Sequence, residues 1–232
     1  MNKLGTMIAI GSAAVTLAGA APAFAAGGTI TGTVKYDGTA PQPKKVEVTK
    51  DKDVCGLKPH FEEELQVDSG GGIANAVVIV KGASGAVKPG DVKFDQKGCD
   101  YVPHVLAFPA GSTVHIMNDD GILHNIHTVS TKNPAFNMAQ PKFKKEIKQT
   151  ISQPEIIKVN CDAHGWMHGW WVATDTPYFA VTDDKGNYSI SGVPPGNYSV
   201  EVWQEKLGTM DQKADVKDGA TATTNFTMKP KG

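Results

Sequence analysis

The sequence predicts an all-β protein of sandwich type, and two observations carry that prediction. Apolar and polar residues alternate in many short runs bounded by Gly, Pro, Asn or Asp, and helical periodicity is almost absent. A length of 232 residues allows one large domain or two small ones, and a hydrophobic content of 40% is enough for a packed core. Formal charge is −1, with 23 basic and 24 acidic residues, and every basic residue is Lys. Neither a strong net field nor the bidentate Arg fork is present, so no nucleic-acid partner is suggested.

In chain order, residues 1–25 read as a secretory signal: Lys3, a run of small and apolar residues, then Ala23-Phe24-Ala25. Cleavage after Ala25 or Ala26 is expected, leaving an exported, periplasmic protein with no membrane span. The alternating runs follow. They are Thr29–Tyr36, Ala76–Val80, Ser112–Met117, Glu155–Val159, Gly169–Ala173 and Tyr198–Trp203, and all are expected as antiparallel strands. The stretch from Asn137 to Lys148 is rich in Lys and reads as solvated surface, with room for a helical turn or long loop.

The chain ends have their own pattern. Thr182-Asp183-Asp184-Lys185-Gly186-Asn187-Tyr188 and Val193-Pro194-Pro195-Gly196-Asn197-Tyr198 are turns feeding strands. Together with Gly28–Val34 and Gly72–Ile79, they resemble the carboxypeptidase regulatory-like domain, a small transthyretin-like sandwich. The resemblance implies a binding or scaffolding module rather than a peptidase. The expected organisation is signal 1–25, an N-terminal segment of this sandwich at 27–90, a separate unit at 91–175, and a C-terminal segment at 176–232. Insertion and tandem arrangements are both open.

The middle carries chemistry. Asn118-Asp119-Asp120-Gly121-Ile122-Leu123-His124-Asn125-Ile126-His127 and Cys161-Asp162-Ala163-His164-Gly165-Trp166-Met167-His168 supply thiolate, imidazole and thioether. Soft sulfur combined with imidazole selects copper, iron or zinc over hard cations. Cys161 ends an apolar strand, so Cys161, His164 and Met167 can converge from one loop while a His arrives from a neighbouring strand.

Across residues 99–175 this pattern resembles the cupredoxins, most closely the amicyanin-like members with a short C-x-x-H-x-x-M metal loop. The resemblance implies a Greek-key sandwich holding one mononuclear type 1 copper, with His124, Cys161 and His164 as equatorial ligands and Met167 as the axial thioether. Asn125 matches the neighbour that ties the two ligand loops together. This chain departs from the family at Ala163, where Pro is frequent, and at Trp166, where a smaller aromatic is frequent. His168 directly follows Met167 and competes with it for the axial position.

The remaining candidates read as structural. Strand alternation puts His127 on the face opposite His124. His104 is read as a strand residue, and His60 and His115 have no supporting pattern. Trp166, Trp170 and Trp171 are read as core or interface aromatics. Cys55 and Cys99, both beside Gly, are expected to form a disulfide in an exported protein. No G-x-S-x-G, H-E-x-x-H or P-loop is present, and only one complete ligand set is, so no enzyme activity is expected. The expected function is one-electron transfer with a cytochrome or dehydrogenase. One imidazole edge would lie at the surface, and Lys142, Lys144, Lys145 and Lys148 would steer the partner. The alternatives are a copper or zinc storage or delivery module, and a metal-free adhesion or carbohydrate-binding sandwich.

Overall fold

Apolar residues at every second position give a strand one inward face. In the computed structural model of the chain, which describes residues 27–230, those faces meet in two sandwiches. The N-terminal part forms β1 (Gly28–Tyr36), β2 (Lys45–Val46), the short helix α1 (Lys52–Cys55), β3 (His60–Phe61) and β4 (Val77–Lys81). The middle forms β5 (Asp91–Gln96), β6 (Tyr101–Val102), β7 (Val105–Pro109), β8 (Thr113–Asn118), β9 (His124–Val129), β10 (Asn137–Gln140), β11 (Glu146–Thr150), β12 (Glu155–Asn160) and β13 (His168–Thr174). The C-terminal part forms β14 (Phe179–Val181), β15 (Asn187–Val193), β16 (Gly196–Gln204), β17 (Gly208–Val216), β18 (Thr221–Thr223) and β19 (Phe226–Met228). The signal reading falls on residues outside those described.

Strands from the two ends of the chain share sheets. One sheet runs β15-β1-β18, with β19 also on β1, and it faces a second sheet, β14-β4-β16-β17. Ile30, Val34, Val78, Val80, Ile190, Val202 and Phe226 fill the space between them. The middle strands make the other sandwich from β10-β9-β12-β13-β7 and β11-β8-β5-β6. Its core holds Phe94, Phe108, Ile116, Ile126, Ile157 and Trp171.

Pairing is not wholly antiparallel, as the sequence had suggested. β1–β18, β1–β19, β13–β7 and β5–β8 are parallel. Side-chain alternation has period two in either kind of ladder, so it carries no information on strand direction.

The two sandwiches join through a third apolar cluster. Val78 and Val80 of β4 point into the first core, while Val77 and Ile79 meet Val105 of β7, Val172 of β13 and Trp203 of β16. β13 divides in the same way, with Trp171 and Ala173 facing the second core and Trp170 packing at the junction, its ring 5.1 Å from that of Trp203. Burial on both faces explains the unbroken apolar run Val77-Val78-Ile79-Val80.

Two further segments bear on the site. The Asn137–Lys148 stretch contributes β10 and β11, each at the edge of its sheet; Lys142, Lys144 and Lys145 lie exposed in the turn between them, and Lys148 is exposed on β11. The stretch spanning β2, α1 and β3 lies against the middle sandwich. Cys55 is buried in that core and forms a disulfide with Cys99, and Cys161 is the free cysteine.

Candidate metal centre

β9 and β12 pair antiparallel, with Asn160 opposite His127, which brings the start of β9 to the end of β12. The seven-residue turn after β12, Cys161–Met167, is closed by its own backbone. The Cys161 N–H donates to the Met167 carbonyl at 3.0 Å and the Met167 N–H to the His164 carbonyl at 2.9 Å. This places His124, Cys161 and His164 together, all buried. Cys161 Sγ is 3.8 Å from Nδ1 of each imidazole, and the two Nδ1 atoms are 3.0 Å apart. The three atoms form a triangle whose corners lie about 2.1 Å from its centre, against metal–nitrogen bonds of about 2.0–2.1 Å and metal–sulfur bonds of about 2.3 Å. These three donors are placed so that they would hold a single transition-metal ion.

Asn125 ties the start of β9 to the Cys161–Met167 turn and to β10. Its Oδ1 accepts from the Asp162 and Ala163 N–H groups at 2.6 and 3.1 Å, and its Nδ2 donates to Asn137 Oδ1 at 2.7 Å.

Each ring is held from behind by a carboxylate. His124 Nε2 is 2.9 Å from Asp120 Oδ2, and Asp120 also accepts from the Gly98 and Cys99 N–H groups at 2.5 and 2.8 Å. His164 Nε2 is 2.8 Å from Asp51 Oδ2, delivered by the residue that precedes α1. A carboxylate only accepts, so Nε2 of each ring carries a proton and Nδ1 is left facing the thiol. Such outer carboxylates fix ring orientation in metal-binding histidines.

Electrostatics make the Cys161 thiol easier to deprotonate than an ordinary one. Burial pushes the Cys161 thiol up, but the His124 imidazole and the Asn125 and His164 backbones outweigh it, and the net shift is downward. Burial also opposes charge on His124, yet Asp120 and Cys161 prevail and raise it to about 8. His164 moves down, first through burial and then through the charge on His124, although Asp51 works against both.

Met167 is buried in the same core cluster as Cys161. His168 faces away from the triangle: its ring packs edge-on to His104, with Nε2 3.7 Å from Glu64. His127 is half-exposed and pairs with Asp162, on the face expected for it. His115 pairs with Glu146, and His60 bridges Asp100 and the Cys55 carbonyl.

The expected surface-exposed imidazole edge is absent. His164 is fully buried, with Asp51 over its outer nitrogen and the Trp166 ring at 5.1 Å. Trp166 in turn lines an open cavity of about 530 Å³ with His60, Phe61 and Gly165. Sequence reasoning missed Asp120 and Asp51 as supports. Asp120 sits four residues before His124, which is a usable signal, whereas Asp51 is 113 residues from His164 and gives none.

Residues 171–229 match the family model of the carboxypeptidase regulatory-like domain. The matched stretch begins within β13 and ends after β19, so it spans the C-terminal strands of the first sandwich. Among curated proteins, none matches the chain. Solved structures similar to part of the chain include a purple cupredoxin from Nitrosopumilus maritimus, at 22% identity and a TM-score of 0.32, covering 36% of this chain and all of that one. A point variant of amicyanin in the Cu(I) state is 20% identical with a TM-score of 0.34, covering 42% of this chain and 98% of its own. A Cu-containing nitrite reductase from Thermus scotoductus SA-01 is 22% identical with a TM-score of 0.33, covering 40% of this chain and 24% of its own length.

Proposed function

We propose that this is an exported, periplasmic protein that binds one mononuclear type 1 copper ion and passes single electrons to a partner such as a cytochrome or dehydrogenase. The ligands in this reading are His124, Cys161, His164 and, on the axis, Met167. The observation that carries it is the buried thiol–imidazole–imidazole triangle. Its donor types are those of a trigonal copper site, and its size suits one ion. Copper there would supply a Cu(I)/Cu(II) couple within one donor set. The chain's own residues do the rest. Asp120 and Asp51 hold both rings with Nδ1 inward, Asn125 fixes the metal loop, and burial excludes water from the sulfur. Trp166, packed on His164 and bordering the cavity, provides an aromatic path from the buried ligand to the surface.

Storage or delivery of copper or zinc is the second reading, and one observation favours it: the His164 edge is covered rather than presented. Adding Cu(II) to the purified mature protein separates the two. Electron transfer through a type 1 site requires an intense visible thiolate-to-copper band that disappears in Cys161→Ser. A colourless protein that prefers zinc, or colour that survives Cys161→Ser, overturns the first reading.

A further inference from the structure

A second group of donors lies outside that triangle. His104, between β6 and β7, His168, at the start of β13, and Glu205, in the turn after β16, each offer one donor atom within 4.8 Å of the others. Two more carboxylates border them. Glu63 Oε2 is 3.5 Å from His104 Nδ1, and Glu64 Oε1 is 3.7 Å from His168 Nε2. Lys206 pairs with Glu64, and the Lys158 ammonium lies over the Trp170 ring, 5.8 Å from its centre. Three carboxylates against two ammoniums leave a net-acidic pocket that favours a cation.

The hydrogen bonding within the group is incomplete. Glu205 is well held, accepting from Trp170 Nε1 at 2.7 Å and from His104 Nε2 at 2.5 Å. His104 Nδ1 and His168 Nε2 are both buried and have no hydrogen-bond partner, and His104 is 4% exposed. Buried ring nitrogens are ordinarily satisfied, so the open His168 Nε2, in the same group as His104 and Glu205, points to a ligand.

We propose that His104, His168 and Glu205, completed by Glu63 or Glu64, bind one divalent cation of the zinc class where the two sandwiches meet. The donor set mixes imidazole nitrogen with carboxylate oxygen and contains no sulfur, which suits borderline divalent ions and disfavours Cu(I). Glu205 comes from the first sandwich and both histidines from the second, so one ion would tie the two together. His168 follows Met167 directly, so the same ion would also brace the end of the Cys161–Met167 turn.

Cobalt(II) titrated into the full-length Cys161→Ser protein tests this. One equivalent is expected to bind with weak visible bands and no thiolate charge-transfer absorption. Glu205→Gln added to that background is expected to weaken binding at least tenfold, and Glu63→Gln to weaken it less. Asp51→Asn, which touches only the first centre, is expected to leave it unchanged. Circular dichroism and the urea midpoint identify any variant that fails to fold, and Glu63→Gln, at a partly exposed position, carries the test in that event. Absence of binding, binding unaffected by both Glu205→Gln and Glu63→Gln, or binding lost in Asp51→Asn overturns the proposal.

Discussion

The two carboxylates behind the ligand imidazoles are unequal, and the inequality is measurable. The Asp120 side chain is 6% exposed and accepts three hydrogen bonds, from His124 and from the Gly98 and Cys99 backbone. Asp120→Asn keeps one acceptor oxygen and turns an NH₂ group towards a donor, so at least one buried donor loses its partner. A hydrogen bond to a charged group contributes about 1.5–3 kcal/mol, and a buried donor left unsatisfied costs about 1–3 kcal/mol. The variant should therefore lose about 2–3 kcal/mol of stability and fall near the upper end of the 10–100-fold range in metal affinity typical of such supports. Asp51 makes one bond to the His164 ring from a side chain that is 37% exposed, where water can take its place. Asp51→Asn should cost about tenfold or less in affinity and little in stability. Competition titrations with a copper chelator, paired with urea unfolding of the metal-free proteins, give both quantities. An Asp120→Asn affinity within threefold of wild type, or an Asp51→Asn loss equal to or larger than that of Asp120→Asn, would refute the reasoning.

Two further predictions follow from the packing. The Cys55–Cys99 disulfide closes a sequence separation of 44 residues, for which chain entropy gives about 4 kcal/mol; the Cys55→Ala/Cys99→Ala protein should unfold in urea with a stability lower by about 3–4 kcal/mol, and a loss under about 1 kcal/mol would contradict this. Glu155 opens β12 and accepts from Ser130, Thr131, Lys132 and Asn133; burial pushes its carboxyl up, but these donors dominate and hold it far below the usual carboxylate range. A depressed folded value contributes stability above the unfolded value of about 4.3 that is lost as pH falls towards the folded one. Glu155→Gln should thus be less stable than wild type at neutral pH, with the gap closing between about pH 5 and pH 2; a gap that is constant with pH counts against it.

What the sequence reveals divides along physical lines. Cys161 and His164 sit in one short turn, and His124 begins an alternating strand, so the meeting of these three is readable. The same alternation placed His127 on the opposite face, where it is found. Partners supplied by distant segments are not readable in this way. β2 and β3 have two residues each, too few for a period to register, yet this stretch carries Cys55 into the middle core and Asp51 onto His164. The expectation of an exposed imidazole edge failed for that reason. His168 invited an axial role because it adjoins Met167. Strand alternation turns successive side chains to opposite faces, however, and His168 instead meets His104.

The disulfide acquires a role beyond stability once its neighbours are considered. Cys99 donates its own N–H to Asp120 Oδ2, and Asp120 holds His124. Cys55 ends the helix whose preceding residue, Asp51, holds His164. A single covalent bond thus links the two segments that support both imidazoles. Holding both supports in this arrangement joins an oxidised Cys55–Cys99 pair with a free Cys161. Burial accommodates both at once: Cys161 is closed off within the second core, and the other two cysteines, equally buried, face each other.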